Sequence, residues 1–279
     1  MSPSNIIKDG EKLEKDIKSS DNFPVTATVG RDDVKRLLTI MSIDPNLGSV
    51  LIEGKEHTQK KDLVRSFSQI IKISTGGKNR FKMINGFHDD PLLETVRRYN
   101  ERSYFRYIAI MDIQNYEEDE LEDVLSYWVE NRKERKTLLI VSNDSDGDDR
   151  ILKKAPTHFF YAKTSPILDI EKRIEIIKRQ RDFIRDEDRF WKRYIPSEKE
   201  FLERIIGAKK VLQSVRISES LRDELQDTLE SKITVSSLER SESNIQNALK
   251  YSKAVAAYQG RKWVSRENIK ESVRFILVD

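Results

Sequence analysis

The sequence predicts an α/β fold with a mostly parallel sheet and flanking helices, followed by an all-helical C-terminal part. Up to about residue 164, short apolar runs alternate with segments whose apolar residues recur at helical spacing. Beyond that point only the helical spacing continues, and no further strand is predicted. We therefore expect a flexible polar tail over residues 1–22, an α/β domain over 23–164 and a helical lid domain over 165–279.

Strands are predicted where apolar, β-branched and aromatic residues run together between polar or turn-forming segments. These runs cover residues 50–52, 81–84, 104–111, 137–141 and 158–162. Helices are predicted where apolar residues recur every three or four positions. They cover residues 31–43, 61–73, 91–99, 117–131, 167–186, 198–212, 218–230 and 243–258, with a last helix that Ser265 begins as its N-cap.

Two helices of the second half carry more specific expectations. The helix over 167–186 has an apolar stripe made of Ile170, Ile174, Ile177 and Phe183. Pro196 is expected to precede the following helix rather than to lie inside it, because proline disrupts a helix interior.

Composition narrows the classes of function. The chain has no cysteine, so disulfides and cysteine-ligated metal sites are excluded, and its three histidines (His57, His88 and His158) show no ligand spacing. The net charge of +3 is too small to predict a nucleic-acid partner. No apolar run approaches the roughly 20 residues of a membrane span, and the N-terminus does not resemble a signal peptide. We expect a cytoplasmic protein.

The first predicted strand leads into a candidate phosphate-binding loop. A P-loop lies between a strand and a helix and requires Gly, four residues, Gly, Lys, and then Ser or Thr. This chain has Gly54, four residues, Gln59, Lys60 and Lys61. The first glycine and the lysine are present, and the other two positions differ.

Three stretches resemble the AAA+ ATPase family of the magnesium-chelatase ATPase subunit and its cobalt-chelatase and MoxR-like relatives. The first is the lead-in 23–30 with the run 43–52, the second is 164–177, and the third is 254–269. The resemblance covers about residues 23–277 and implies a P-loop NTPase-like (AAA+) sheet with a helical lid. It also implies a homo-oligomer, or a hetero-oligomer with an active AAA+ or chelatase-like subunit.

The resemblance assigns roles to individual residues. Thr58 and Lys60 align with the Thr and Lys of the family's phosphate loop, which begins at Gly54, and Asp112 takes the aspartate position of its second motif (Walker B). Asn143 takes the place of a γ-phosphate sensor, and Arg150 matches a family arginine. Arg240 can fill the arginine role of the lid only with a shift of register. ATP or ADP is the implied ligand.

Four or more catalytic positions depart from the family, among them Pro156 in place of a second arginine, and three others argue directly against hydrolysis. A side chain at Gln59 crowds the place of a glycine whose neighbouring amides wrap phosphate. Lys61 replaces the hydroxyl that binds magnesium and would repel the ion, although it could contact phosphate. Ile113 replaces the glutamate that polarises the attacking water, and an isoleucine cannot accept a proton.

Each retained residue also has a purely structural interpretation. Gly54 could serve only as a strand-end turn, Lys60 could be one more solvated lysine, and Asp112 could cap the next helix.

Several functions remain open from the sequence. One is a non-hydrolysing scaffold or regulatory subunit. A second is a weak ATPase or nucleotide sensor that is active only in a mixed ring. A third is nucleic-acid binding through Lys72, Lys78, Arg80 and Lys82, which is disfavoured because the net charge of the chain is only +3.

Overall fold

The computed structural model describes residues 16–17, 22–55, 58–77, 80–85, 91–102, 105–131, 137–141, 159–231 and 238–276. Within them, one five-stranded sheet has the order β2-β3-β4-β1-β5, and every described strand pair is parallel. The strands are β1 Val50–Gly54, β2 Arg80–Ile84, β3 Phe105–Met111, β4 Thr137–Val141 and β5 Phe160–Thr164. The predicted α/β fold is confirmed.

Helices accompany the sheet and then form the whole second half. They are α1 Asp32–Ile43, α2 Lys60–Ser74, α3 Leu92–Asn100, α4 Glu118–Glu130, α5 Ile170–Arg185, α6 Glu187–Val211, α7 Glu219–Glu230, α8 Leu238–Tyr258 and α9 Arg266–Phe275. The N-cap prediction for Ser265 is confirmed, because its side chain and that of Asn268 form a reciprocal capping box at the start of α9.

One helix boundary was predicted wrongly. α6 begins at Glu187 and continues through Pro196, so the proline lies inside the helix. The first turn is held by the Asp186 side chain, which accepts a hydrogen bond from the Arg189 N–H, and by the buried ring of Trp191. Packing and capping of this turn therefore outweigh the one backbone hydrogen bond that proline cannot donate.

The fifth strand lies two residues later than predicted. Pairing with β1 decides its limits, since Val50 pairs with Phe160 and Gly54 pairs with Thr164 along the full length of both strands. Apolar spacing could not reveal this register, because it depends on the neighbouring strand.

The sheet is buried on both faces by two apolar clusters. Alternate residues of β3 divide between them: Tyr107 and Ala109 join the larger cluster, and Ile108 and Ile110 join the smaller one. The larger cluster also contains residues of α1, α2, α6, α8 and α9, so it runs from the sheet into the helical half. Ile17 is buried in it as well, which the expectation of a flexible tail over residues 1–22 did not anticipate.

Polar contacts also join the helical half to the α/β half. Arg36 of α1 donates two hydrogen bonds to the Glu271 carboxylate of α9, at 2.6 and 3.0 Å. The Thr26 N–H donates to Glu198 Oε1 of α6 at 2.5 Å. In the part of the chain that the structure describes, no helix combines the length and the apolar character needed to cross a membrane.

Candidate functional site

The loop after β1 begins at a glycine that no other residue could replace without strain. Gly54 has φ +155°, and a Cβ atom on it would lie 1.8 Å from Thr164 Oγ1 and 2.6 Å from the Thr164 carbonyl oxygen. β5 therefore packs directly against the end of β1 at this point. Thr164, which the sequence indicated only as a domain boundary, is part of the loop's support.

Lys60 is buried inside the loop and is not a solvated lysine. It is the first residue of α2 and only 2% exposed. Its Nζ donates to the carbonyl oxygens of Gly54 and Lys55, both at 2.6 Å, and to Thr58 Oγ1 at 2.7 Å. Because an ammonium group has three N–H donors, these three oxygens account for all of them.

Thr58 connects the lysine to the neighbouring strand. Its hydroxyl donates to the Lys55 carbonyl oxygen at 2.7 Å and lies 3.0 Å from Thr164 Oγ1. The described part of the loop is thus closed by its own hydrogen bonds, with Lys60 at the centre. A phosphate group could reach the Lys60 ammonium only if these bonds were exchanged.

Gln59 has the backbone conformation of the glycine that it replaces. It lies in the left-handed region with φ 59° and ψ 15°, immediately before α2. Its Oε1 atom is buried without a hydrogen-bond partner. Gln59 therefore combines a left-handed backbone, which glycine adopts readily, with a side chain whose amide oxygen is buried.

Lys61 and Asp112 form an ion pair across the end of the sheet. Lys61 follows Lys60 in α2, and its Nζ contacts Oδ2 of Asp112, which directly follows β3 and is 8% exposed. Asp112 precedes a short 3-10 helix over Ile113–Asn115, but its side chain makes no capping hydrogen bond. The structure therefore does not support the interpretation of Asp112 as a cap.

This pair does not fit a magnesium ion. Magnesium in such a site needs oxygen ligands, whereas Lys61 supplies an ammonium group that stands against the Asp112 carboxylate. Like charge would oppose entry of the ion. Among the described residues, no group of three or more His, Asp or Glu side chains is placed to hold a metal ion.

Ile113 is turned away from the site into the core. It is fully buried in the smaller apolar cluster, together with Ile110 and Val124. The sequence predicted only that a proton acceptor is missing here. The structure adds that a glutamate at this position would have to enter an apolar cluster, which strongly disfavours a charged group.

Tyr116 lies close enough to Asp112 for the carboxylate to affect its ionisation. Burial, followed by the charges of Glu120 and Asp112, raises the pKa of Tyr116 to about 12. Its hydroxyl is buried without a hydrogen-bond partner. The phenol is therefore neutral near neutral pH and supplies no charge to the site.

A cleft of about 360 Å³ opens beside the loop. Its lining comes from the lead-in, from the start of α2 and from α5. The lining residues are Asn22, Phe23, Thr28, Gln59, Asp62, Arg65, Gln180, Phe183 and Ile184. Sequence spacing could not predict this cleft, because it lies between elements that are far apart along the chain.

Three predicted site residues are not placed by the structure. Asn143 and Arg150 lie outside the described residues. Arg240 lies in the first turn of α8, and its side chain is outside the described part of the chain. Their roles remain predictions.

Comparison with known proteins agrees with the fold. No protein-family model matches the chain. The magnesium-chelatase subunit ChlI homolog of Methanocaldococcus jannaschii is 24% identical over 91% of this chain and 84% of its own length. The magnesium-chelatase subunit ChlI of Mesostigma viride is 25% identical over 99% of this chain and 91% of its own.

The chain is similar over nearly its whole length to magnesium-chelatase subunits, which supports an AAA+ assignment. A crystal structure of a candidate ATPase from Cytophaga hutchinsonii matches 98% of the chain and 86% of its own length, with a TM-score of 0.55 and 16% identity, and supports the fold alone. The alignment with the Methanocaldococcus protein spans 313 positions, more than the 279 residues of this AAA+ chain. That relative therefore carries segments that this chain lacks.

Proposed function

We propose that this protein is a non-hydrolysing AAA+ subunit that acts as a scaffold or regulator in an oligomeric complex. The observation that carries the proposal is the ion pair between Lys61 and Asp112. An ammonium group stands against the carboxylate that a magnesium ion would need, so the protein's own lysine neutralises this carboxylate in place of a metal.

The buried position of Ile113 supports the absence of hydrolysis. Hydrolysis of ATP needs a group that positions or deprotonates the attacking water, and Ile113 offers neither and faces the core. Loss of such a general base removes on the order of 10²–10⁴ in rate. We therefore expect no steady ATP turnover by the purified chain.

The closed loop supports weak nucleotide binding at most. Lys60 would have to exchange three short hydrogen bonds for contacts with phosphate. The cleft beside Gln59 has a volume within the range of small-molecule sites. We propose that ATP or ADP, if held there, binds with the same affinity in the presence and absence of magnesium.

The complex is proposed from the relatives. Proteins that align with nearly the whole chain are named as magnesium-chelatase subunits. We propose that this chain assembles with an active AAA+ or chelatase-like subunit, or with copies of itself, and contributes structure rather than energy from ATP.

Calorimetric titration with ATP and with ADP, with and without magnesium, tests the proposal together with a phosphate-release assay. We expect heats that do not depend on magnesium and no phosphate release. Steady turnover that disappears in a Lys60→Ala variant would defeat the proposal.

A double variant tests the role of Lys61 directly. Gln59→Gly with Lys61→Ser restores the loop glycine and the hydroxyl and frees Asp112, so nucleotide affinity should rise and become dependent on magnesium. Lys72→Ser removes an exposed lysine from the same helix and serves as the control, with no expected change. An Ile113→Glu change is not combined with these two substitutions, because it would place a carboxylate in the apolar core. If the double variant gains no dependence on magnesium, Lys61 does not have the proposed role.

The cleft favours a second candidate, a nucleotide sensor or weak ATPase that works only in a mixed ring. In that case Arg150 or another basic residue would act on a neighbouring subunit. Mixing the chain with a homologue that has complete motifs should then change the homologue's turnover, and an unchanged turnover would count against this candidate.

A further inference from the structure

The predicted apolar stripe of α5 faces outward, with the exception of Phe183. No residue of α5 is fully buried. Four of its five isoleucines are exposed, at 70% for Ile170, 46% for Ile174, 63% for Ile177 and 84% for Ile184, and Ile176 is partly buried. An amphipathic helix normally turns such a stripe toward the core, so this exposed face lacks a partner in the described structure.

The opposite side of α5 already holds the helix in place. Arg179 donates to the Ala27 carbonyl oxygen at 2.8 Å and lies over the ring of Tyr194. The Phe183 ring packs edge-on against Phe23, with ring centroids 5.3 Å apart, and against Phe190 at 5.5 Å. Because these contacts orient α5, the four exposed isoleucines are fixed on the outer side.

The exposed residues follow a heptad pattern. Ile170, Ile174, Ile177 and Ile184, here called the isoleucine seam, are spaced by four, three and seven positions, with Arg181 at the intermediate seam position. Alternating steps of three and four are the spacing of a helix that packs along a second helix. A seam of this kind is narrow, as expected when the other side of the helix is already in use.

The charges beside the seam are mainly positive. α5 carries six basic and three acidic residues. Two of the three carboxylates have basic partners: Glu175 pairs with Arg179 at 2.6 Å, and Asp182 lies 3.5 Å from Arg193. Arg173, Lys178 and Arg185 are exposed on the flanks of the seam.

We propose that the isoleucine seam docks an amphipathic helix of a partner protein, with an apolar seam flanked by Asp or Glu. Carboxylates at the flanking positions would face the basic residues of α5, which is how flanking charges select partners in helix pairs. On the partner helix, one further Asp or Glu would face Arg181. The proposal concerns a surface outside the phosphate loop, of which only Ile184 also lines the cleft, and it does not depend on the proposed lack of hydrolysis.

Two other occupants fit the charge and shape less well. A second α5 helix from another copy would bring basic flanks together, which is unfavourable. Helices that lie on membranes use a wide apolar face, whereas α5 presents a narrow seam because Arg179 and Phe183 hold its other side.

The test uses synthetic helical peptides that are two heptads long. One carries leucine at the seam positions and glutamate on both flanks, and its twin carries lysine on the flanks. Fluorescence anisotropy should show binding of the glutamate peptide only. Ile174→Asp with Ile177→Asp should weaken that binding by about tenfold or more, and added salt should weaken it further.

Matched variants separate docking from damage to the fold. Ile174 and Ile177 are exposed and do not line the cleft, so melting temperature and nucleotide titration should not change in the double variant. Arg181→Glu should weaken peptide binding, and Lys192→Glu, an exposed lysine on α6, should not.

Several outcomes would overturn the proposal. It fails if the glutamate peptide does not bind, if both peptides bind equally, or if the double variant binds as well as the native chain. Binding to phosphatidylserine-containing vesicles that the double variant loses would assign the seam to a membrane surface. Self-association in sedimentation velocity that the double variant loses would assign it to a second copy.

Discussion

Gln59 and Asp112 have left-handed backbone conformations, which residues other than glycine rarely adopt. Their φ angles are 59° and 57°. Gln59 lies two residues before Lys61, and Asp112 is the residue that Lys61 contacts. Each such residue costs about 1–2 kcal/mol relative to an ordinary helical or extended backbone. Both residues lie where the family resemblance puts a ligand, and strained residues commonly collect at such sites; Arg31, with φ 59°, is a third such residue outside the loop.

Gly54→Ala should destabilise the protein by about 1–3 kcal/mol, since the added methyl group would overlap Thr164. Urea denaturation measures the change in the free energy of unfolding. Gly207→Ala is the matched control, because the space around Gly207 in α6 is open. That variant should stabilise the helix by about 0.5–1 kcal/mol. If Gly54→Ala is as stable as the native chain, the close approach of β1 and β5 is wrong.

At the scale of the element, α6 joins the two halves through a buried carboxyl group. Glu198 lies in this helix only two residues after Pro196, and it accepts the hydrogen bond from the Thr26 N–H. Burial raises the pKa of Glu198, and the hydrogen bond from Thr26 offsets the effect only in part. Folding therefore shifts the protonation equilibrium of Glu198 toward the neutral form relative to the unfolded state.

This burial predicts a dependence of stability on pH. Above the ordinary value of 4.5, the folded state binds more protons at Glu198 than the unfolded state does, so stability falls as pH rises. Glu198→Gln stays neutral and keeps an oxygen to accept from Thr26. Its melting temperature should exceed that of the native chain at about pH 8, and the advantage should shrink toward about pH 4. Glu203→Gln, an exposed change on α6, should show no such trend. An advantage of equal size at every pH would contradict the assignment.

At the scale of the whole molecule, the α/β half and the helical half share one core. The larger apolar cluster contains Val34 and Phe67 together with Leu202 and Tyr251. The rings of Phe160 and Tyr251 lie 5.3 Å apart, and Arg36 and Glu271 add the paired hydrogen bonds. The boundary near residues 164 and 165 remains a prediction, but neither half can separate without exposing this cluster.

The shared core predicts one cooperative unfolding transition. Differential scanning calorimetry should give equal calorimetric and van't Hoff enthalpies. Arg36→Ala should lower the melting temperature and leave a single transition, because the cluster still joins the halves. Two separate peaks in the native chain would show that the helical half unfolds independently.

Much of the fold could be predicted because it follows from local spacing. The apolar runs at 50–52 and 137–141 became strands, and the serine at 265 became an N-cap, since each depends on neighbours close in sequence. Pro196 was misplaced because a buried ring and a capping aspartate at the start of α6 outweighed the propensity of the proline. Spacing along a chain does not report such contacts.

The candidate site was predicted as a set of positions but not as an arrangement. The sequence indicated that Gln59 and Lys61 differ from the residues that a phosphate loop requires. The structure adds where these side chains lie. Lys61 pairs with Asp112 on a distant strand, and Ile113 turns into the core. The contact between Lys61 and Asp112 spans the sheet, because β4 lies between β1 and β3.

By itself, the sequence determined the order and type of the elements, the family resemblance and the altered positions of the loop. These properties depend on residue identity and short-range periodicity. Only the tertiary structure decided that Lys60 is buried in the loop, that Lys61 neutralises Asp112, and that four isoleucines of α5 face outward. The physical reason is that burial and ion pairing arise between segments that are far apart in the chain, so they exist only once the sheet and helices have packed.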